Sequence, residues 1–158
     1  MFSKLALFSA MVSAAAIPDP TFTKVFDAVV ELDMSKGLLP GPFGRRLLSG
    51  FISGNLTDAS TGALVANVIP NFGAEFGLVT DSGHLYTDVR LGLRFVDEDA
   101  SAFLELHGSG TFENLHAYNY LRVETNSTTY GSLVDEFLYA SIDVSQSPAP
   151  LFIYKLDV

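Results

Sequence analysis

Two alternating runs in the middle of the chain constrain its fold more than any other feature. Residues 84–96 and 101–107 alternate aliphatic side chains with aromatic or charged ones, and the acidic stretch Asp97-Glu98-Asp99 separates them. Because successive side chains of a β-strand point to opposite faces, this period of two predicts a β-hairpin. One face of the hairpin is aliphatic, and the other carries rings and charges. That second face is either the solvated outside of a barrel or the wall of a binding cavity.

The remainder of the chain predicts more strands of the same kind. Seven further runs have strand character: residues 22–33, 45–56, 63–69, 75–81, 118–125, 137–144 and 151–158. Residues 35–44 are rich in proline and glycine and predict a loop, and residues 112–117 are the only plausible helical turn. Short, regularly spaced strands favour a barrel or a sandwich. We therefore expect an all-β fold, a single antiparallel, lipocalin-like β-barrel of about eight to nine strands with at most one short helix.

Length and composition restrict the classes of function. A chain of 158 residues suits one domain. The net charge of −9 makes a nucleic-acid partner improbable, because phosphate binding requires clustered Lys and Arg. The absence of cysteine excludes thiol catalysis, disulfides and thiolate metal sites.

The first residues resemble a targeting segment. Residues 1–16 place Lys4 before an apolar run that ends in small residues, which is typical of a secretory signal peptide. A membrane anchor is the competing interpretation, but the run is shorter than the roughly 18 residues needed to span a bilayer. We expect residues 17–158 to form the barrel of a protein in the secretory pathway or outside the cell. Two sequons then predict N-glycosylation at Asn55 and Asn126.

Common catalytic motifs are missing. A metal site needs about three convergent ligands, and His84, His107 and His116 are too widely spaced to suggest one. No Gly-x-Ser-x-Gly elbow marks a hydrolase, and no glycine-rich loop precedes a Lys-bearing helix. We therefore expect neither a metal nor any other cofactor.

Residues on the mixed strand faces are the remaining candidates for a site. Asp88 and Arg90 share one face of their strand, and Tyr120 lies on a similar stripe. Ligand cavities are mostly apolar with a few placed polar groups, which matches these faces. The alternative is an ordinary outer surface with weak salt bridges.

From about residue 22 onward the chain resembles a family of small β-barrel proteins filed as domain of unknown function 3237. The resemblance depends on the order of several short motifs: Gly44-Arg45-Arg46, the segment 49–54, the segment 70–76, Thr87-Asp88-Val89-Arg90, Tyr120-Leu121-Arg122 and the closing segment 153–158. Phenylalanine stands at Phe76 and Phe137, where the family pattern has tryptophan. Any pocket should therefore differ in shape from that of a typical bacterial member.

The resemblance implies a function, because secreted fungal members look like cofactor-free cyclases of secondary metabolism. It implies that the barrel orients a quinone methide, polyene or phenol for a pericyclic, hetero-Diels–Alder-like or hydroalkoxylation ring closure. Arg90, Asp88 and Tyr120 are then the expected catalytic residues. The expected substrate-binding residues are Glu75, Phe76, Tyr86, Arg94, His107, Tyr118, Arg122, Phe137 and Tyr139.

Two other functions stay open at the level of sequence. The same barrel would serve as a carrier that holds an apolar or aromatic metabolite without turnover, or as a surface protein with a filled interior. We also expect a homodimer. If the mixed faces line a cavity, the aliphatic faces point outward, and exposed apolar patches mark interfaces.

Overall fold

The computed structural model describes residues 19–157, which form one antiparallel sheet. Its strands are β1 Thr21–Leu32, β2 Leu38–Gly41, β3 Gly44–Asp58, β4 Leu64–Val79, β5 His84–Phe95, β6 Ser101–Thr111, β7 His116–Thr125, β8 Leu138–Asp143 and β9 Ala149–Asp157. Two short 3-10 helices, Met34–Lys36 and Gly131–Asp135, lie in connections. The predicted leader, residues 1–16, lies outside the described part of the chain. No helix of residues 19–157 is long and apolar enough to cross a bilayer.

Pairing between β1 and β3 closes the sheet into a barrel. Strands that follow each other in sequence pair from β3 to β9, and β9 pairs with β1. Strand β1 also pairs with β3, with Phe26 opposite Asp58. Eight strands therefore form a closed ring, and β2 extends the edge of β3 alone. The expected single antiparallel β-barrel is confirmed. Closure removes the unpaired edges that would invite aggregation.

Three local predictions were wrong. The two runs 63–69 and 75–81 belong to one long strand, β4, whose pairing with β5 is interrupted by a bulge between Val68 and Gly73. The proline-rich segment 35–44 contains β2. Pro40 is tolerated there because β2 is an outer edge strand, where its missing N–H is not needed. The chain turns without a helix at residues 112–115, and the longer 3-10 helix lies at Gly131–Asp135.

The aliphatic strand faces point into the barrel. The largest core cluster takes Val89, Leu91 and Leu93 from β5 and packs them against Leu104 and Leu106 of β6. The mixed faces are consequently outside, so the expectation that they line the interior is wrong. The aliphatic faces turn inward because burial of apolar area is the dominant favourable term in folding. This effect, and not the family resemblance, decides the direction of the faces.

One end of the barrel is closed by the connection between β7 and β8. Tyr130 stacks on Phe95 with ring centroids 4.7 Å apart and meets Phe26 edge-on at 6.4 Å. The Glu98 carboxylate fastens this connection, accepting hydrogen bonds from the Ser127 hydroxyl and from the backbone N–H of Thr128. These bonds hold the pKa of Glu98 below its ordinary value.

The opposite end is open, and a strap crosses part of it. We use the word strap for residues 33–37, between β1 and β2. The Ser49 hydroxyl donates to the Asp33 carbonyl oxygen at 3.0 Å, and Asp33 N–H donates to the Gly50 carbonyl at 2.8 Å. Asp33 also caps the 3-10 helix by accepting from Ser35 N–H at 2.9 Å. These bonds place Met34 beside the opening.

Candidate functional site

An apolar cavity of about 320 Å³ occupies the open end of the barrel. This volume lies at the lower end of the range for ligand sites, about 300–1,000 Å³. Its lining residues come from the strap, β2, the barrel strands, the turn between β6 and β7 and the loop after β8: Val30, Leu32, Met34, Leu38, Leu47, Glu75, Val79, Leu85, Phe112, Leu115, Val144, Ser145, Gln146, Ser147 and Ala149. Serine and glutamine lie only in the β8–β9 loop, so the walls are almost entirely hydrocarbon.

Among residues 19–157, Glu75 is the only ionisable residue that lines this cavity. It lies on β4, opposite Ser49 of β3 and Val89 of β5, and is 4% exposed. Burial alone raises the pKa of its carboxyl group to about 7, with no contribution from a nearby charge or hydrogen bond. A carboxyl group of this kind exchanges a proton near neutral pH, which is the property of a general acid or base.

A smaller chamber of about 20 Å³, lined mostly by apolar side chains, adjoins the cavity. It shares Val30, Leu32 and Glu75 with the cavity, and Thr87 and Asn119 line it as well. The Thr87 hydroxyl donates a hydrogen bond to Asn119 Oδ1. Both side chains are buried, and Asn119 is only 2% exposed.

Gly108 makes the Thr87–Asn119 contact possible. It pairs with Thr87 on β5 and with Asn119 on β7, so it lies between them in the sheet. A Cβ atom at this position would overlap the Tyr118 carbonyl oxygen and approach Asn119 Oδ1 to 2.7 Å. Glycine therefore lets β6 and β7 approach closely and leaves the interior row free of a bulky side chain.

Of the residues expected from sequence to line a cavity, Glu75 alone does so. The others lie on the exposed or half-exposed outer surface: Arg90, Asp88, Tyr120, Phe76, Tyr86, Arg94, His107, Tyr118, Arg122, Phe137 and Tyr139. Their placement in the cavity was wrong, because their strands turn the aliphatic face inward. The candidate site is therefore the cavity that contains Glu75, and not the outer strand face that carries Arg90.

Several of these outer residues form an ion-pair network on β5, β6 and β7. Arg90 Nη1 lies 3.1 Å from Asp88 Oδ1, and Arg90 Nε lies 3.4 Å from Glu105 Oε1. Arg122 Nη1 contacts Glu105 Oε2 at 3.2 Å. The Arg90 side chain is 39% exposed. Exposed pairs of this kind contribute only about 0–1 kcal/mol each.

Four of the aromatic members lie together on the outside of the barrel with Phe22 and Tyr154, whereas Tyr86 contacts His84 instead. We call this group the outer aromatic strip: Phe22, Tyr118, Tyr120, Phe137, Tyr139 and Tyr154. Tyr118 stacks on Tyr139 with centroids 6.0 Å apart, and Tyr120 lies 5.3 Å from Phe137. Four of these rings, Tyr118, Tyr120, Phe137 and Tyr139, were expected to contact substrate inside the barrel, but the strip faces outward.

The two sequons occupy different environments. Asn126 is exposed after β7, and its side-chain oxygen accepts from Ser101 N–H at 3.0 Å. Asn55 is half-buried within β3 and pairs with Val29 and Asn67. Glycosylation at either position stays a prediction, and the exposed loop position of Asn126 suits a glycan better.

Sequence reasoning missed Thr87 and Asn119. Each interrupts an otherwise aliphatic face, Thr87 between Leu85 and Val89 and Asn119 between Ala117 and Leu121. A polar residue on an aliphatic strand face must find a partner inside the barrel. That signal was present in the sequence, and it would have marked the interior rather than the mixed faces.

The barrel is similar to several solved structures. A protein of unknown function from Clostridium acetobutylicum shares 22% identity and a TM-score of 0.74, over 88% of this chain and 100% of that one. A β-barrel-like protein from Acinetobacter baumannii shares 18% identity and a TM-score of 0.71, over 91% and 100%. An enzyme from Penicillium herquei shares 13% identity and a TM-score of 0.63, over 91% and 99%. The sequence matches no family model and no curated protein. At these identities the likeness shows the fold alone.

Proposed function

We propose that the chain is a cofactor-independent cyclase that binds a small, largely apolar metabolite at the open end of the barrel. The observation that carries this proposal is a single carboxyl group, Glu75, buried in an otherwise apolar cavity. The similarity in fold to an enzyme from Penicillium herquei is consistent with it. The reaction class is suggested by the resemblance to domain of unknown function 3237, because some secreted fungal members of that family look like cofactor-free cyclases.

The geometry supports a ring closure in which Glu75 moves one proton. In the hydroalkoxylation form, the carboxylate takes the proton of a substrate hydroxyl as that oxygen attacks the electrophilic carbon of a quinone methide. The displaced electron pair moves to the conjugated carbonyl oxygen, which then receives the proton from Glu75. Substrate and product are isomers, so no oxidant or cofactor is consumed. The cavity walls hold the substrate in a folded conformation, and orientation of this kind removes up to about 7–11 kcal/mol of a barrier.

The test is turnover of hydroxyl-bearing quinone methide or prenylated phenol precursors, followed by chiral chromatography. We expect a single enantiomer, and kcat/KM should rise with pH through about 7 as Glu75 ionises. Glu75→Gln should lower kcat by about a hundredfold. Arg90→Ala is the matched control, because its side chain lies on the outer surface, and it should change kcat less than twofold.

Two results would contradict the proposal. Equal activity of Glu75→Gln and the unaltered protein would remove Glu75 from the reaction. Tight binding of the precursors without any turnover would instead favour the carrier function, for which the nearly all-hydrocarbon cavity wall is also suited.

A further inference from the structure

The chamber is lined by one acceptor, the Glu75 carboxyl group, and by one donor, the Asn119 amide. The Glu75 carboxyl group makes no hydrogen bond that shifts its pKa. Asn119 Oδ1 is occupied by the Thr87 hydroxyl, which leaves both N–H groups of Asn119 Nδ2 without an acceptor in the described chain. A ligand that forms hydrogen bonds with both groups would therefore gain affinity.

The size and charge of the chamber select what enters it. Its volume of about 20 Å³ is enough for a water or a single terminal oxygen, since about 10–15 Å³ suffices for one water. Within the described part of the chain, no Lys, Arg or His lines the chamber or the cavity. An anionic head group would therefore meet Glu75 with no cation to offset the repulsion.

We propose that Asn119, held in place by Thr87, determines specificity for a ligand with one hydroxyl at the inner end of an apolar body. A hydroxyl donates to Glu75 and accepts from Asn119 at the same time. An ammonium group only donates, and a carbonyl only accepts. The inference rests on the proposed function, because it assigns the recognised hydroxyl to the same cavity, and it adds the two residues that select it.

The experiment compares para-butylphenol with butylbenzene, which differ by that hydroxyl. Affinities are measured by isothermal titration calorimetry at pH 6, where most Glu75 side chains are protonated, and at pH 8, where most are ionised. The unaltered protein should bind the phenol at least about tenfold more tightly than the hydrocarbon at pH 8, equivalent to about 1.4 kcal/mol. The preference should be smaller at pH 6, because a protonated carboxyl group is the weaker acceptor.

Two variants locate the preference. Asn119→Leu removes the donor at similar volume and should reduce the phenol-to-hydrocarbon ratio to near unity with little change in butylbenzene affinity. Thr87→Val removes only the hydroxyl that fixes the amide, and should reduce the ratio severalfold. If Asn119→Leu does not fold, Thr87→Val alone tests whether Asn119 selects the hydroxyl. Ser109→Ala, an exposed hydroxyl on β6, is the control and should leave the ratio unchanged.

The outcomes separate this inference from the proposed function. If both probes bind with equal affinity, or if the ratio survives both variants, Asn119 does not select the hydroxyl, while the cavity remains a ligand site. If a bound water stays in the chamber and excludes the hydroxyl, the two probes will also bind with equal affinity. If neither probe binds, the ligand cavity itself is wrong and both proposals fall.

Discussion

Glu75 should make the stability of the protein depend on pH in an unusual direction. Burial raises the pKa of its carboxyl group from 4.5 in the unfolded chain to about 7 in the folded one. The folded state therefore prefers the protonated group. Its contribution to stability is complete below about pH 4.5 and is lost as pH rises through about 7. The shift corresponds to about 3 kcal/mol.

Glu75→Gln should abolish this loss. Thermal unfolding should show the variant more stable than the unaltered protein at pH 8, by up to about 3 kcal/mol, with the difference vanishing near pH 4. Glu113→Gln is the control, because Glu113 is exposed in the turn before β7. This substitution should leave stability unchanged both at pH 8 and near pH 4. A difference that stays constant from pH 4 to pH 8 would show that Glu75 is not buried in the folded protein.

At the scale of the strands, Gly108 is the position where β6 and β7 leave no room for a side chain. Gly108→Ala should destabilise the protein by about 1–3 kcal/mol or more, because the new Cβ overlaps the Tyr118 carbonyl oxygen. It should also displace Asn119 and reduce ligand affinity. The measurement is the urea midpoint. Gly50→Ala on β3 is the control, since its Cβ would meet nothing within 4 Å, and equal midpoints for the two variants would contradict the close approach.

The strands show what alternation in a sequence does and does not predict. The period-two runs placed the starts of β5 and β6 correctly and the end of β5 within one residue, because hydrogen bonding and side-chain alternation act locally. They ended β6 four residues early. The sequence left open which face turns inward, because that depends on closure of the whole barrel, and the site residues placed on the mixed faces were wrong. Glu75 illustrates the difficulty. Its neighbour Phe76 is apolar and faces solvent, and the inward row of Glu75, Gly77 and Val79 shows little hydrophobic pattern.

Across the whole molecule, the two ends of the barrel are built differently. Tyr130 and Phe95 fill one end with stacked rings. Toward the open end, glycine or alanine occupies inward positions such as Gly108, Gly110 and Ala117. A Cβ atom at either glycine would overlap a carbonyl oxygen of β7, so these glycines bring β6 and β7 close together. A barrel of about eight strands is just wide enough to be filled by its own side chains. At the open end the side chains leave about 320 Å³ of the interior unfilled.

The outer aromatic strip gives a new basis for the expected homodimer. The original argument required outward aliphatic faces, and these are buried. The strip instead exposes rings, with Tyr118 53% exposed and Tyr120 46% exposed, and contiguous apolar patches of this kind mark interfaces. We expect a second copy of the chain to cover it about a two-fold axis, the commonest symmetry. Light scattering at micromolar concentration should then give the mass of a dimer.

Substitutions within the strip should return the monomer. Tyr120 and Phe137 lie 5.3 Å apart in the strip, so Tyr120→Ser combined with Phe137→Ser removes two neighbouring rings from the same contact. Phe43→Ser is the matched control, because Phe43 is 75% exposed at the turn between β2 and β3, away from the strip. The control should remain dimeric. A monomeric mass for the unaltered protein, or a dimer that persists in the double variant, would show that the strip does not join two copies.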